Sequence, residues 1–146
     1  MLTSAKLIGG IFLAITAVYS SYLIIRLNTS FYLSTPVYLI NAVIGYAVGW
    51  RAIGSNPGVG GAWLIINGLR GVFIYAILSA VTYGGWVILL KLQKFFIKKF
   101  QDILTGWFDA VIDYFVLLAA PDVILTLVVG GCISGIGAGL ANRYWS

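Results

Sequence analysis

The chain has 146 residues, 61% of them hydrophobic and 9% charged, and its mean hydropathy is +1.01. These values exclude an ordinary water-soluble domain. Nine Lys and Arg stand against four acidic residues, all Asp, giving a net charge of +5; in so apolar a chain such cations serve lipid headgroups, not nucleic acid.

No charge occurs between Lys6 and Arg26, Arg26 and Arg51, Arg70 and Lys91, or Asp122 and Arg143, leaving uncharged runs of 19, 24, 20 and 20 residues. A hydrocarbon core of roughly 30 Å is crossed by about 20 helical residues, and lipid offers no partner to an unpaired backbone group. The expected fold is an all-α integral membrane protein, with four transmembrane helices and one amphipathic interfacial helix between the third and fourth. Residues 1–146 form a single transmembrane domain.

The first crossing covers about 7–25. Lys6 ahead of an apolar stretch has the look of a signal peptide, but no A-x-A cleavage site follows, so the helix is expected to be retained. The second, about 36–51, opens at Pro36, whose ring suits a first helical turn. Residues 54–61 carry four glycines and a proline, which break any helix and mark the main loop. The third crossing, about 62–90, has Asn67 and Arg70 near its start. The fourth, about 122–142, opens at Pro121 with Asp122 beside the positive helix terminus.

Residues 91–118 have a helical period of their own. At 100° per residue, Lys91, Lys94, Lys98, Lys99, Asp102, Asp109 and Asp113 gather in one sector, while Phe100, Leu104, Trp107, Phe108, Val111 and Phe115 lie opposite. Phe95, Ile112 and Val116 depart from the pattern. A long amphipathic helix of this kind fits a segment lying in the bilayer interface, or one packed on the protein with a solvated face. Its lysines precede its aspartates, so the basic end suits anionic lipid, and Asp109 and Asp113 are candidate partner contacts. Placing the lysine cluster in the cytoplasm leaves both termini periplasmic, with Trp50, Trp63, Tyr144 and Trp145 as an aromatic belt on the opposite face.

Helix contacts are foreshadowed by glycine. Gly131, Gly135 and Gly139 stand at i, i+4 and i+8, and Gly45 and Gly49 repeat the spacing in the second crossing. In lipid, close backbone approach supplies much of the packing, so these faces are expected to meet other helices, within the monomer or in another subunit. Asn41, Asn67 and Arg70 are the possible polar intramembrane site, since polar groups are costly at that depth.

The chemistry available is narrow. Without His or Glu the common general base and the usual haem, zinc and copper ligands are missing. Cys132 lies among glycines in mid-run, where a thiol behaves as a small hydrophobe. Residues 54–61 lack the Lys and hydroxyl that end a phosphate-binding loop. The expectation is a protein that is not an enzyme and that has no cofactor, no metal and no catalytic residue.

The block Asn41-Ala42-Val43-Ile44-Gly45-Tyr46-Ala47-Val48-Gly49-Trp50-Arg51, the start Thr3-Ser4-Ala5-Lys6-Leu7, the pair Asn67-Gly68, and Asp122-Val123 followed by Gly130-Gly131 resemble the TrgA-type tellurium-resistance membrane proteins of alphaproteobacteria. That resemblance implies a bacterial inner-membrane location and a link to tolerance of tellurium oxyanions, and supplies no catalytic site. The expected function is docking to other membrane components: membrane lipids, and other membrane subunits or further copies of the chain. The alternatives are an accessory subunit of a larger respiratory or photosynthetic complex, an anion transport or channel module lined by Asn41, Asn67 and Arg70, and a tellurium-reducing enzyme built on Cys132.

Overall fold

A computed structural model describes residues 3–27, 35–56, 60–94 and 99–145. Every element among them is helical: α1 (Ser4–Leu27), α2 (Thr35–Val48), a π-helical turn (Gly49–Ile53), α3 (Gly61–Gln93), α4 (Phe100–Leu118) and α5 (Pro121–Tyr144). Three of them, α1, α3 and α5, are long and apolar enough to cross a membrane. The second apolar run is built differently. α2 has 14 residues, about 21 Å of rise, and its continuation widens into the π turn, closed by Gly54 N–H donating to Gly49 O at 2.9 Å.

The helix ends follow local chemistry. α3 starts after Gly60, whose φ of 117° is open to glycine and strained for other residues. The end of α4 is tied by Ala119 N–H to Phe115 O at 2.9 Å and Ala120 N–H to Leu117 O at 3.2 Å. Pro121, which has no N–H to donate, then opens α5.

α1 is the hub, packed chiefly on α5 and α2, while α3 packs on α5 and α4. α2 and α5 both run antiparallel to α1: Lys6 lies against Gly54 and Gly10 against Tyr46, while Gly9 meets Ala138 and Thr16 meets Gly130. α3 runs parallel to α1, since Gly71 lies near Leu13 and Tyr75 beside Ser20. Leu13, Ala17, Ile53, Tyr75, Val123 and Ala138 form the fully enclosed centre.

These pairings give the molecule two unequal parts. α1 ends seven residues beyond Ser20, whereas α3 continues eighteen beyond Tyr75, an excess of about 16 Å. α4 folds back along this excess, with Trp107 and Val111 against Gly84. The amphipathic segment expected over 91–118 is therefore not one helix. Lys91 closes α3, Lys94 caps it, and α4 begins only at Phe100, after Lys99 adopts an extended conformation. The physical reason is that the apolar face of α3 runs unbroken past Thr82 to Leu92, so the first lysine marks no helix start. Lys98 and Phe95 lie outside the described residues.

Candidate functional site: a buried hydroxyl node

Polar side chains converge where α1, α2, α3 and α4 meet. On α1, the Ser20 and Ser21 hydroxyls each donate to Ala17 O, at 2.9 and 2.8 Å. Having spent its proton on its own helix, Ser21 Oγ keeps lone pairs for a neighbour, and Asn41 Nδ2 donates to it at 2.8 Å. The same amide lies 3.4 Å from the Tyr114 hydroxyl, which brings α4 into the network. Ser20 Oγ and Tyr75 OH lie 3.5 Å apart. Tyr114 stacks on Tyr83 with ring centroids 4.9 Å apart.

The described node holds hydroxyls, one amide and aromatic rings, with Asp113 of α4 near Tyr83 at its edge. The hydroxyls, amide and rings can orient helices but include no group poised to take a proton near neutrality. Its α3 members had a readable signal: Tyr75, Ser79 and Tyr83 stand at i, i+4 and i+8 on one face of an otherwise aliphatic run. Ser20, Ser21, Tyr75, Ser79 and Tyr83 leave no mark in the charge pattern, because hydroxyls do not interrupt an uncharged run.

Asn41, Asn67 and Arg70 do not form one site. Asn41 belongs to the node. Asn67 lies toward the other end, its Nδ2 donating to Ile53 O at 3.0 Å and Asn56 O at 2.7 Å, so it pins the π turn and the loop after it. Eight residues, about 12 Å of helix, separate Asn67 from Tyr75. Arg70 is exposed on α3, nine residues in from Gly61. Each asparagine is committed to a different junction of the fold.

The glycine faces lie between helices of the same chain. Gly45 meets Leu13, Ala14 and Ala17, and Gly49 meets the Gly9–Gly10 backbone. Gly131 and Gly135 lie against Gly68, and Gly139 against Leu64. The two faces do not pack on each other: one closes on α1 and the other on α3. Ser134 Oγ donates to Gly9 O at 3.0 Å and ties α5 to α1.

On α4 the side chains sort into three strips. Ala110, Tyr114 and Leu118 are buried toward the bundle. Phe100, Leu104, Phe108, Ile112 and Val116, each four residues from the next, are exposed along one flank. Asp102, Asp109 and Asp113 are exposed behind them. Lys91, Lys94 and Lys99 are exposed around the connection between α3 and α4. Cys132 is half-buried in α5, and the described residues contain no group of three metal-ligating side chains. No protein-family model, curated protein or solved structure matches this chain.

Proposed function

We propose that the protein is a noncatalytic, multi-pass protein of a bacterial inner membrane that acts by docking to other membrane components. The observation that carries this reading is a contrast. The buried asparagines and Ser20, Ser21 and Ser134 are bonded within the fold, whereas α4 leaves an apolar ridge of five residues and an acidic strip facing outward. A ridge of that extent on an amphipathic helix requires lipid or protein against it, and Asp109 and Asp113 suit a basic partner.

In this reading α2 and the π turn together make a fourth crossing. The lysine end of α3 and α4 faces the cytoplasm and both termini face the periplasm. The resemblance to TrgA-type proteins adds tolerance of tellurium oxyanions as the phenotype that docking serves. An accessory subunit of a respiratory or photosynthetic complex is the form that agrees with it. The distance between Asn41 and Asn67 along the bundle favours docking over an anion route.

The test is purification of the tagged chain from native membranes in mild detergent, beside the double substitution Asp109→Lys and Asp113→Lys. The wild type is expected in a defined complex, and the variant is expected to lose its companions while keeping its helix content and melting temperature. A lone protomer that carries tellurite or phosphate across proteoliposomes would overturn the reading.

A further inference from the structure

Between α3 and α4, and closed at its inner end by Ile40 of α2, lies a groove of about 610 Å³. Thr82, Trp86 and Leu89 form one wall, and Leu104 and Trp107 the other. Its volume is in the range of about 300–1,000 Å³ occupied by small-molecule sites. The Thr82 hydroxyl is already spent on Leu78 O at 2.8 Å. The indole Nε1 of Trp86 is buried without any acceptor. Buried indole N–H groups ordinarily find a partner, so one wall of this groove holds an unused donor.

The other end of the groove runs toward the α3–α4 connection, where the cations collect. Lys94 caps α3, Lys99 precedes α4, and Lys91 Nζ comes within 3.7 Å of where a methyl on Gly106 would stand. Trp86 to Lys94 and Trp107 to Lys99 are each eight residues, about 12 Å of rise on either wall. Apolar walls and a cationic end thus follow one another in the order of a phospholipid's acyl chain and phosphate. We infer that this groove binds one anionic phospholipid. One chain lies between the two tryptophans and the phosphate lies among Lys91, Lys94 and Lys99. Charge complementarity selects this occupant over a zwitterionic lipid, since each lysine near an anionic headgroup favours binding about fivefold.

The test uses the full chain carrying Trp50→Phe, Trp63→Phe and Trp145→Phe, which leaves fluorescence from Trp86 and Trp107 alone. Brominated phosphatidylglycerol and brominated phosphatidylcholine are titrated in mixed micelles. Phosphatidylglycerol is expected to quench at a several-fold lower mole fraction, and adding Lys94→Gln and Lys99→Gln should weaken it about fivefold per lysine. Soluble glycerol phosphate should not relieve the quenching. Equal quenching by the two lipids, a preference that survives both lysine substitutions, or relief by glycerol phosphate each overturns the site. If the triple Trp variant does not fold, native mass spectrometry of the otherwise wild-type chain reads the same preference. One retained phosphatidylglycerol, lost with Lys94→Gln and Lys99→Gln, supports the site, and no preferential retention overturns it.

Discussion

The glycine seams, α1 on α2 and α3 on α5, and the α3–α4 arm solve the same packing problem in opposite ways. In the seams, backbone meets backbone: a methyl on Gly49 would collide with Gly9 O and stand 2.8 Å from Gly10 Cα, and one on Gly135 would collide with Leu64 O. In the arm, side chain meets side chain, through the Tyr83–Tyr114 stack and the indole of Trp107 over Gly84. Backbone contacts of this kind have little room to relax. Side-chain contacts can shift, so the arm should tolerate substitutions that the seams do not.

The largest effect should come from breaking a seam. Gly49→Val and Gly68→Val each drive a side chain into a neighbouring backbone that cannot move without separating two helices. Each is expected to cost about 3 kcal/mol or more, at the upper end for overpacking. Loss of the monodisperse peak in detergent, with membrane insertion retained, is the measurement. If either variant stays folded and monodisperse, the seam is looser than its contacts imply.

A smaller loss should follow at the node, where the two parts join. Asn41→Ala removes the donor to Ser21 and the link to Tyr114. Hydrogen bonds between membrane helices average roughly 0.6 kcal/mol and reach about 1.7, so a cost of about 1–2 kcal/mol is expected. Tyr114→Phe should cost less, about 1 kcal/mol, because it keeps the stack on Tyr83 and loses only the hydroxyl. Reversible unfolding in mixed micelles ranks the two. A Tyr114→Phe loss larger than that of Asn41→Ala would place the weight of the joint on the hydroxyl of α4 instead of on the amide.

The same contrast explains what could be read in the sequence. Seams written in glycine are legible because the i, i+4 spacing of Gly45 with Gly49 and of Gly131, Gly135 and Gly139 has few other uses in lipid. Which helix each face meets was not legible: Gly9, Gly10 and Gly68, which complete the contacts, sit alone or paired in their own runs. The arm misled the periodicity argument, because lysines belonging to the end of α3 and the start of α4 fall into phase with the aspartates of α4 when laid on one wheel. The node was hidden for a different reason, since serine and tyrosine carry no charge and are common in apolar helices. The π turn left no compositional mark. Its effect is to bring Ile53 inward against Gly71, where it is fully buried.

The smallest predicted effect tests the arm at the resolution of one residue. Gly84 and Gly85 are adjacent on α3, yet a methyl on Gly84 would stand 2.7 Å from Val111 Cγ2 and 2.9 Å from Trp107 Nε1, and one on Gly85 would meet nothing within 4 Å. The atoms opposing Gly84 are side-chain atoms that can shift, so Gly84→Ala should cost about 1–2 kcal/mol, less than a seam substitution. Gly85→Ala should be neutral or stabilising by about 0.5–1 kcal/mol, because alanine loses less backbone freedom in a helix. Equal losses from the two would mean that α4 does not lie on the Gly84 face, and the groove would have to be redrawn. A gain at Gly85 with a loss at Gly84 fixes the side of α3 on which α4 rests, and with it the wall that faces lipid.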